Sequence, residues 1–288
     1  MRPRYAATYL LLVAWSLVCL FPVYWLAITS IKPAIDMDTG PKYLPWVDFT
    51  PSLRAWYFIL FDSEGSLVLR FVNSAVVGLA ASILTIMIGG MACYGLTRFD
   101  YRFRCISDRP ANRAIMWGIL ATRVLPPIAI VLPIYLMAMY TGTLDSWTAL
   151  ILTYTAVNLP VAMWLLQPVL GLGPSEQEDA ARLDGASHLL VFFTIVLPMA
   201  AGGLAAAGLL IFVLCWNEYL LAAYLTTSRA MTLPVWVVEQ MSYREAQTSS
   251  STEEWANFSA AAIFIVLPMI AFAGIALRVL GRRTAWKT

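Results

Sequence analysis

Six long apolar segments restrict this chain to very few architectures. They run approximately over Thr8–Thr29, Ser74–Leu96, Ile115–Met139, Trp147–Leu170, Gly202–Leu225 and Phe258–Leu280. Each exceeds the roughly 20 apolar residues that a helix needs to cross the hydrocarbon core of a bilayer. Inside a bilayer the backbone N–H and C=O groups must pair within the protein, which leaves helices and closed barrels. The sequence therefore predicts an all-α membrane protein, with residues 1–288 forming one domain of six transmembrane helices.

The composition argues against several other classes of function. Charged residues make up only 12% of the chain, whereas soluble domains carry about 25%, so membrane lipid is a predicted partner. A net charge of +2 does not favour nucleic acid as a partner. The cysteines lack metal-site spacing and His188 is the only histidine, so neither a metal site nor a catalytic nucleophile–base set is predicted. The chain is expected to bind no cofactor itself and not to be an enzyme.

The distribution of lysine and arginine predicts which segments face the cytoplasm. If the N-terminus lies inside, the inner segments carry 12 of the 19 basic residues and the outer segments carry 6. Because cytoplasmic loops are enriched in these residues, both termini and the loop 174–198 are predicted to be cytoplasmic. The first apolar segment is too long for a typical signal peptide, and we interpret it as a retained membrane anchor.

The polar stretch between the fourth and fifth apolar segments, Pro174–Pro198, is unlike an ordinary loop. Ser175 and Glu178 form an S-x-x-E capping box, which typically begins a helix. Carboxylates follow in the first turn, where the helix dipole favours them, and Gly185 can end the helix in a left-handed conformation. The pattern predicts a short helix, a glycine break and a second helix that begins near Ser187. A compact polar helix projecting from a membrane is typical of a docking element for a soluble partner.

The same stretch resembles the EAA loop of bacterial ABC-importer permeases. That motif reads E-A-A, two residues, D-G-A, a longer spacer and then I-x-L-P. This chain reads Asp179-Ala180-Ala181, Asp184-Gly185-Ala186 and Ile195-Val196-Leu197-Pro198. The first position is Asp179 instead of glutamate, although Glu178 precedes it. The resemblance implies that the residues coupling the chain to an ATPase are Glu178, Asp179, Ala180, Ala181, Asp184, Gly185 and Ala186.

Polar groups inside the later apolar segments mark a candidate translocation pathway. Arg123 lies within the third segment, where it could face a water-filled cavity, pair with Glu218, or be interfacial if the span starts later. Asn158 lies two residues before a proline, which favours either a pathway or an interhelical hydrogen bond. The fifth segment carries the string Trp216-Asn217-Glu218-Tyr219. It combines hydrogen-bonding groups with aromatic rings, as a sugar requires, and it resembles the carbohydrate branch of the permease family. A buried structural carboxylate paired with Arg123 is the alternative for Glu218.

Over the whole chain, the six segments and the loop resemble the maltose-permease type of inner-membrane subunit. The resemblance implies the type I ABC-importer (MetI-like) permease fold with a cytoplasmic coupling helix, Ser175–Leu183, in a bacterial inner membrane. It also implies a heterodimer with a second, homologous permease subunit, two ATPase subunits below, and a soluble extracytoplasmic substrate-binding protein above. ATP and Mg²⁺ then belong to the ATPase subunits, because this sequence has no P-loop G-x-x-x-x-G-K-[ST].

The function expected from this resemblance is the ATP-driven import of a sugar or sugar derivative. A polyol, a glycerol-phosphate compound or an anionic sugar are the alternative substrates, and Arg123 would suit an anion. A secondary transporter driven by an ion gradient is the alternative class, with Glu218 and Arg123 as its visible ion site. That alternative leaves the D-G-A loop unexplained, and co-purification of an ATPase separates the two.

Overall fold

The computed structural model describes residues 3–62, 66–102, 111–171, 175–242 and 252–284, which are mostly helical. The helices are α1 (Pro3–Ser30), α2 (Ile35–Asp38), α3 (Arg54–Tyr57), α4 (Ser66–Arg98), α5 (Asn112–Ala121), α6 (Pro127–Tyr140), α7 (Trp147–Gly171), α8 (Ser175–Leu183), α9 (His188–Val191), α10 (Leu197–Met199), α11 (Ala201–Trp216), α12 (Leu220–Leu225), α13 (Leu233–Ser242) and α14 (Thr252–Thr284). A 3-10 turn spans Thr122–Val124, and π-helical turns span Phe58–Asp62 and Phe192–Val196. The described residues contain no β-strand, only an isolated bridge between Pro45 and Phe49. The all-α prediction is confirmed.

Three helices are long and apolar enough to cross a membrane, namely Thr8–Ser30, Leu67–Arg98 and Trp147–Gly171. They coincide with the first, second and fourth predicted segments, and the second is longer than predicted at both ends. Two further candidates are pairs of helices bent at a break, and Trp255–Ala271 is a shorter apolar helix. The described residues thus supply 3 spans, or 5 if each bent pair is one span. The predicted count of six stays a prediction.

The third predicted segment, Ile115–Met139, is broken between Val124 and Pro127. Helix α5 with its 3-10 turn meets α6 at 89°. Leu125 and Pro126 lie at the break, with extended ψ angles of 128° and 132°. Each of them precedes a proline, whose Cδ disfavours the helical conformation of the residue before it. Two consecutive prolines therefore produce a right-angle break, which corrects the expectation of one continuous helix.

The fifth predicted segment, Gly202–Leu225, is also not one continuous helix. Helix α11 ends at Trp216 and α12 begins at Leu220, with polar residues of the candidate pathway between them. At its other end, α11 meets the helical stretch His188–Met199 at 83°. The helical region that leads into this segment begins at His188, directly after its N-cap Ser187, so the predicted second helix beginning near Ser187 is confirmed.

The contacts within the chain cluster into two units. The first comprises Met1–Phe71 with Leu233–Ile270, and the second Val72–Thr232 with Ala271–Thr288. In the first, the Trp56 indole N–H donates to Ser30 Oγ at 3.2 Å, and its ring packs on Phe264. In the second, α7 contributes to a core that also takes side chains from α4, α5, α9 and α11. The prediction of a single domain stays a prediction.

Gly203 sets how closely α11 packs against α7 in the second unit. A Cβ atom at this position would overlap Cγ1 of Val169 and would lie only 2.7 Å from its Cγ2. Valine is nearly fixed in one rotamer within a helix, so the overlap could be relieved only by separating the helices. In the sequence this residue is merely one of two adjacent glycines, and its role is not visible there.

We expect Gly203→Ala to lower the melting temperature of the purified protein, because overpacking of this kind costs about 1–3 kcal/mol. Gly208→Ala on the same helix is the matched control, since its Cβ would meet Ile86 Cγ1 at an ordinary 3.6 Å. Thermal unfolding of both variants in the same detergent measures the difference. Equal melting temperatures would contradict the close packing of α11 on α7.

Candidate functional site

The predicted docking helix is present as α8, and its bounds are the predicted Ser175–Leu183. Glu176 and Glu178 lie in its first turn and Arg182 in its last, so charged groups complement the helix dipole at both ends. Pro174, with which the predicted loop begins, lies outside the described residues. A nine-residue helix of this polarity is marginal on its own in water, so contacts with the rest of the chain must hold it.

Gly185 ends α8 in the way that the sequence predicts. Its φ angle is +90°, a region that side chains with a Cβ rarely adopt. The Ala186 N–H donates to Ala181 O and the Gly185 N–H donates to Arg182 O, both at 3.0 Å. These two bonds form a Schellman motif, which satisfies carbonyls at the end of the helix. The next helix then begins after Ser187, whose hydroxyl accepts from a backbone N–H as an N-cap.

Glu178 anchors α8 to two transmembrane helices. The residue is buried, and its carboxylate accepts from Arg98 Nη2 at 2.6 Å and from Arg98 Nε at 2.9 Å. The Tyr94 hydroxyl donates to the same carboxylate at 3.2 Å, and Arg98 Nη2 also donates to Leu170 O at 3.4 Å. A bidentate pair of this kind is strong and directional. It fixes α8 against the ends of α4 and α7.

The opposite face of α8 has no cover in the described part of the chain. Its exposed residues are Glu176, Gln177, Asp179, Ala180, Arg182 and Leu183. Leu183, at the end of the helix, is 90% exposed. A Cβ atom at Gly185 would meet nothing within 4 Å. This face, together with the turn that follows it, is therefore accessible to another protein.

The predicted coupling residues divide between an anchoring side and an exposed side. Glu178 is buried, and Ala181 and Ala186 pack against the core of the second unit. Four are exposed, namely Asp179, Ala180, Asp184 and Gly185. Sequence reasoning missed Arg98, the partner of Glu178, which it counted only as one basic residue of a cytoplasmic segment. Its position at the end of an apolar segment is the signal that was available.

Part of the candidate pathway comes together where α7 faces the end of α11. The Asn158 amide is buried and donates to Tyr154 O at 2.9 Å and to Cys215 Sγ at 3.5 Å. The Tyr154 hydroxyl donates to Glu218 O at 3.4 Å. Trp216 is almost completely buried. Asn158 thus makes an interhelical hydrogen bond, which was one of its two predicted roles.

The remaining candidate pathway residues lie at breaks between helices. Arg123 is exposed in the 3-10 turn after α5. Within the described residues no ion pair joins it to Glu218, so that predicted pairing is not formed. Glu218 Oε1 instead accepts from Leu221 N at 3.0 Å, at the start of α12. Asn217 and Tyr219 are exposed, and their part in a pathway stays a prediction.

Asp145, which the sequence analysis did not single out, clamps a distant segment. It lies between α6 and α7 with φ +54°. Its carboxylate accepts from the backbone N–H groups of residues 227–230 at 2.9 to 3.3 Å. It also accepts from the Thr227 and Ser228 hydroxyls, both at 3.2 Å. One carboxylate therefore holds the whole turn that follows α12.

Asn73 fastens the same turn from another helix. Its side-chain amide donates to Arg229 O and to Met231 O, each at 2.9 Å. Its amide oxygen accepts from the Trp147 indole N–H, also at 2.9 Å. A buried amide whose donors and acceptor are all engaged specifies one arrangement of the groups around it. The beginnings of α4 and α7 are thus tied to residues 229–231, just before α13.

We expect Asp145→Asn to lower the melting temperature at neutral pH by several degrees. Burial raises the pKa of the Asp145 carboxyl, but the backbone N–H groups of residues 227–230 outweigh burial and hold it well below its usual range. Because the pKa in the folded state is the lower one, the carboxylate stabilises the fold at neutral pH. This contribution is lost as the pH falls below the unfolded value of about 3.9.

Thermal unfolding of this variant should accordingly be measured between neutral pH and about pH 3. The difference in melting temperature between Asp145→Asn and the unchanged protein should become smaller as the pH is lowered towards about 3. Asp100→Asn is the control, since Asp100 is an exposed aspartate. A difference that is independent of pH, or equal for the two variants, would contradict the clamp.

Comparison with known proteins gives consistent matches. A family model described as "Binding-protein-dependent transport system inner membrane component" matches residues 106–286. The sulfoquinovosyl glycerol transport system permease protein SmoH of Agrobacterium fabrum is 35% identical, over 75% of this chain and 72% of its own. The trehalose transport system permease protein SugB of Mycobacterium tuberculosis is 30% identical, with 88% of this chain and 86% of its own covered.

A solved structure supports the fold. The crystal structure of a bacterial ABC transporter involved in the import of the acidic polysaccharide alginate contains a chain with a TM-score of 0.73 to this one. The two chains are 20% identical, and 96% of each is covered. The fold that the sequence resemblance implied is confirmed by this likeness.

Proposed function

This chain belongs to the family of binding-protein-dependent transport system inner membrane components, and we propose that it forms half of the translocation pathway of an ATP-driven sugar importer. It is a permease subunit, a class of protein that is not an enzyme. The observation that carries the coupling role is the geometry of α8. Its buried Glu178 fixes it to Arg98, while its other face is exposed.

The proposed complex contains a second, homologous permease subunit, two ATPase subunits and a soluble extracytoplasmic binding protein. ATP and Mg²⁺ bind to the ATPase subunits, since no P-loop is present in this sequence. The excess of lysine and arginine in the inner segments supports cytoplasmic termini, which place α8 on the ATPase side. Six spans result if each bent pair is one span and α14 is the sixth.

The mechanism follows from the way in which α8 is attached. Closure of the ATPase dimer on ATP moves α8 as a rigid body together with the ATPase surface. The pair between Glu178 and Arg98 passes this displacement to the end of α4. The hydrogen bond from Arg98 to Leu170 O passes it to the end of α7. The two spans then move together, and access to the pathway switches from one side of the membrane to the other.

A sugar or sugar derivative is the proposed substrate. Relatives are named for the transport of sulfoquinovosyl glycerol and trehalose, and the structural neighbour serves the import of alginate. The aromatic and polar residues around the end of α11 supply groups that suit sugars. Of these, Asn217 and Tyr219 are exposed. We propose that they line the pathway with Arg123, and that the half-buried Glu218 and the buried Asn158 and Trp216 support them from behind.

The test is ATP hydrolysis in lipid nanodiscs after co-expression of this chain with its chromosomal neighbours. Hydrolysis that rises only when the binding protein is loaded with a sugar is the expected result, and the effective sugar identifies the substrate. If no ATPase associates with the chain and uptake follows an ion gradient instead, the proposal is overturned. Glu218 would then be the first residue to examine as an ion site.

A further inference from the structure

Lys32, which follows α1, is a buried lysine in the first unit. It is 5% exposed, and its Nζ donates to Lys42 O at 2.9 Å. The ammonium lies 4.9 Å from the ring centroid of Trp25 and 5.3 Å from that of Phe49. Lysine is almost never fully buried unless it is paired. No described carboxylate forms an ion pair with Lys32.

The described carboxylates near Lys32 are engaged elsewhere. Asp36 pairs with Lys42 Nζ, and Asp48 accepts from two backbone N–H groups at 2.9 Å. Burial lowers the pKa of the Lys32 ammonium, and the attraction of Asp36 offsets only part of this effect. An anion placed beside Nζ would therefore stabilise the charged ammonium that burial disfavours.

One cavity beside Lys32, of about 360 Å³, has walls that suit a sugar ring. Trp25 and Trp255 line it with large apolar surfaces of the kind on which the C–H face of a sugar packs. Thr29 also lines it, and its buried hydroxyl makes no hydrogen bond to any described residue.

A second cavity, of about 660 Å³, is also lined by Lys32. Arg54, Ser52 and Asn257 contribute to its walls, and they add a second cation, a hydroxyl and an amide. The volumes of both cavities fall in the range of about 300–1,000 Å³ that is usual for small-molecule sites. Lys32 therefore joins an aromatic compartment to a polar one within the same unit.

We propose that the lysine site, formed by Trp25, Thr29, Lys32, Arg54 and Trp255, binds an acidic sugar. The carboxylate or sulfonate of the ligand lies against Lys32 Nζ, and its ring packs on the indoles. The inference rests on the proposed function, because cytoplasmic termini put the segment after α1, which contains Lys32, on the side from which substrate arrives. It narrows the proposed substrate class to acidic sugars. Phosphatidylglycerol carries a similar oxyanion, but its flexible headgroup has no sugar ring whose C–H face could pack on the indoles.

The test is calorimetric binding to the full chain in phosphatidylcholine nanodiscs, with digalacturonate as the acidic probe and maltose as the neutral one. We expect digalacturonate to bind at least about tenfold more tightly, because hydrogen bonds to charged groups are the stronger ones. Lys32→Gln should remove this preference, and Lys32→Arg, which keeps the charge, should retain it. Arg229→Gln is the matched control, since Arg229 is an exposed cation of a predicted outer segment and lines neither cavity.

Three outcomes would overturn the inference. The first is equal binding of both probes to the unchanged protein, and the second is a preference that survives Lys32→Gln. The third is loss of digalacturonate binding when phosphatidylglycerol is added to the nanodiscs, which would assign the site to a lipid. The assay needs no ATPase, so a missing ATPase would overturn only the proposed function. An active importer without a preference for the acidic probe would overturn only this inference.

Discussion

Replacement of Glu178 by glutamine is expected to reduce ATP-driven uptake by at least about tenfold while the chain still inserts into the membrane. The change leaves the Arg98 guanidinium without its anionic partner in a site where the two side chains are only 19% and 7% exposed. Breaking a buried pair by removing one partner typically costs about 3–5 kcal/mol. A loss of that size is enough to release α8 from α4 and α7. Uptake and ATP hydrolysis should be measured on the same preparation.

Glu176→Gln is the matched control for this experiment. It makes the same chemical change in the same turn of α8, but on the exposed face, where a carboxylate contributes little to stability. Uptake by Arg98→Lys should lie between that of Glu178→Gln and that of Glu176→Gln, because lysine keeps the charge but cannot form the bidentate pair. If Glu178→Gln transports as well as Glu176→Gln, the ion pair is not the link between α8 and the spans.

The sequence predicted α8 and its end because the signals for both are local. A carboxylate-rich first turn and a glycine both act within a few residues of the helix that they define. Gly185 adopts φ +90°, as a left-handed helix end requires. The loop resemblance depended on the same short stretch, and for that reason the family could be inferred from the amino-acid sequence alone.

The contacts that hold α8 in place could not be predicted in the same way. Arg98 and Glu178 are 80 residues apart in the chain, and Asp145 accepts from residues more than 80 positions away. Periodicity and capping patterns carry no information about such pairs. The break at Leu125 was underestimated for another reason. Average hydropathy over a segment does not register that two adjacent prolines exclude helical conformation from two successive residues.

The candidate pathway residues were the hardest to interpret from the sequence. A polar residue within a span can face a water-filled path, a neighbouring helix or another subunit. Asn158 bonds to a neighbouring helix, whereas Asn217 and Tyr219 are exposed. In the proposed pairing with a second permease subunit, the role of an exposed polar side chain depends on the subunit that faces it. That information is absent from the sequence of a single chain.

Gly185→Asp is expected to leave insertion intact but to uncouple transport from ATP hydrolysis. At φ +90°, a side chain costs about 1–2 kcal/mol, and aspartate is among the residues that tolerate positive φ best. The chain itself has room, because a Cβ at this position meets nothing within 4 Å. A large loss of uptake would therefore have to arise where a partner covers the turn. Uptake and ATP hydrolysis should both be measured in proteoliposomes, where uncoupling appears as hydrolysis without a matching rate of uptake.

The variant Gly142→Asp shows how much of a loss of uptake comes from backbone strain and how much from impaired docking of α8. Gly142 also has a positive φ, +66°, and open space around its Cβ position, but it lies far from α8 in the sequence. The same substitution there should carry a similar strain and leave uptake nearly unchanged. Gly185→Asn then distinguishes bulk from charge, because it keeps the size of aspartate without a second acid beside Asp184. Uptake by Gly185→Asp equal to that of Gly142→Asp would mean that no partner covers this turn, and the docking role of α8 would have to be abandoned.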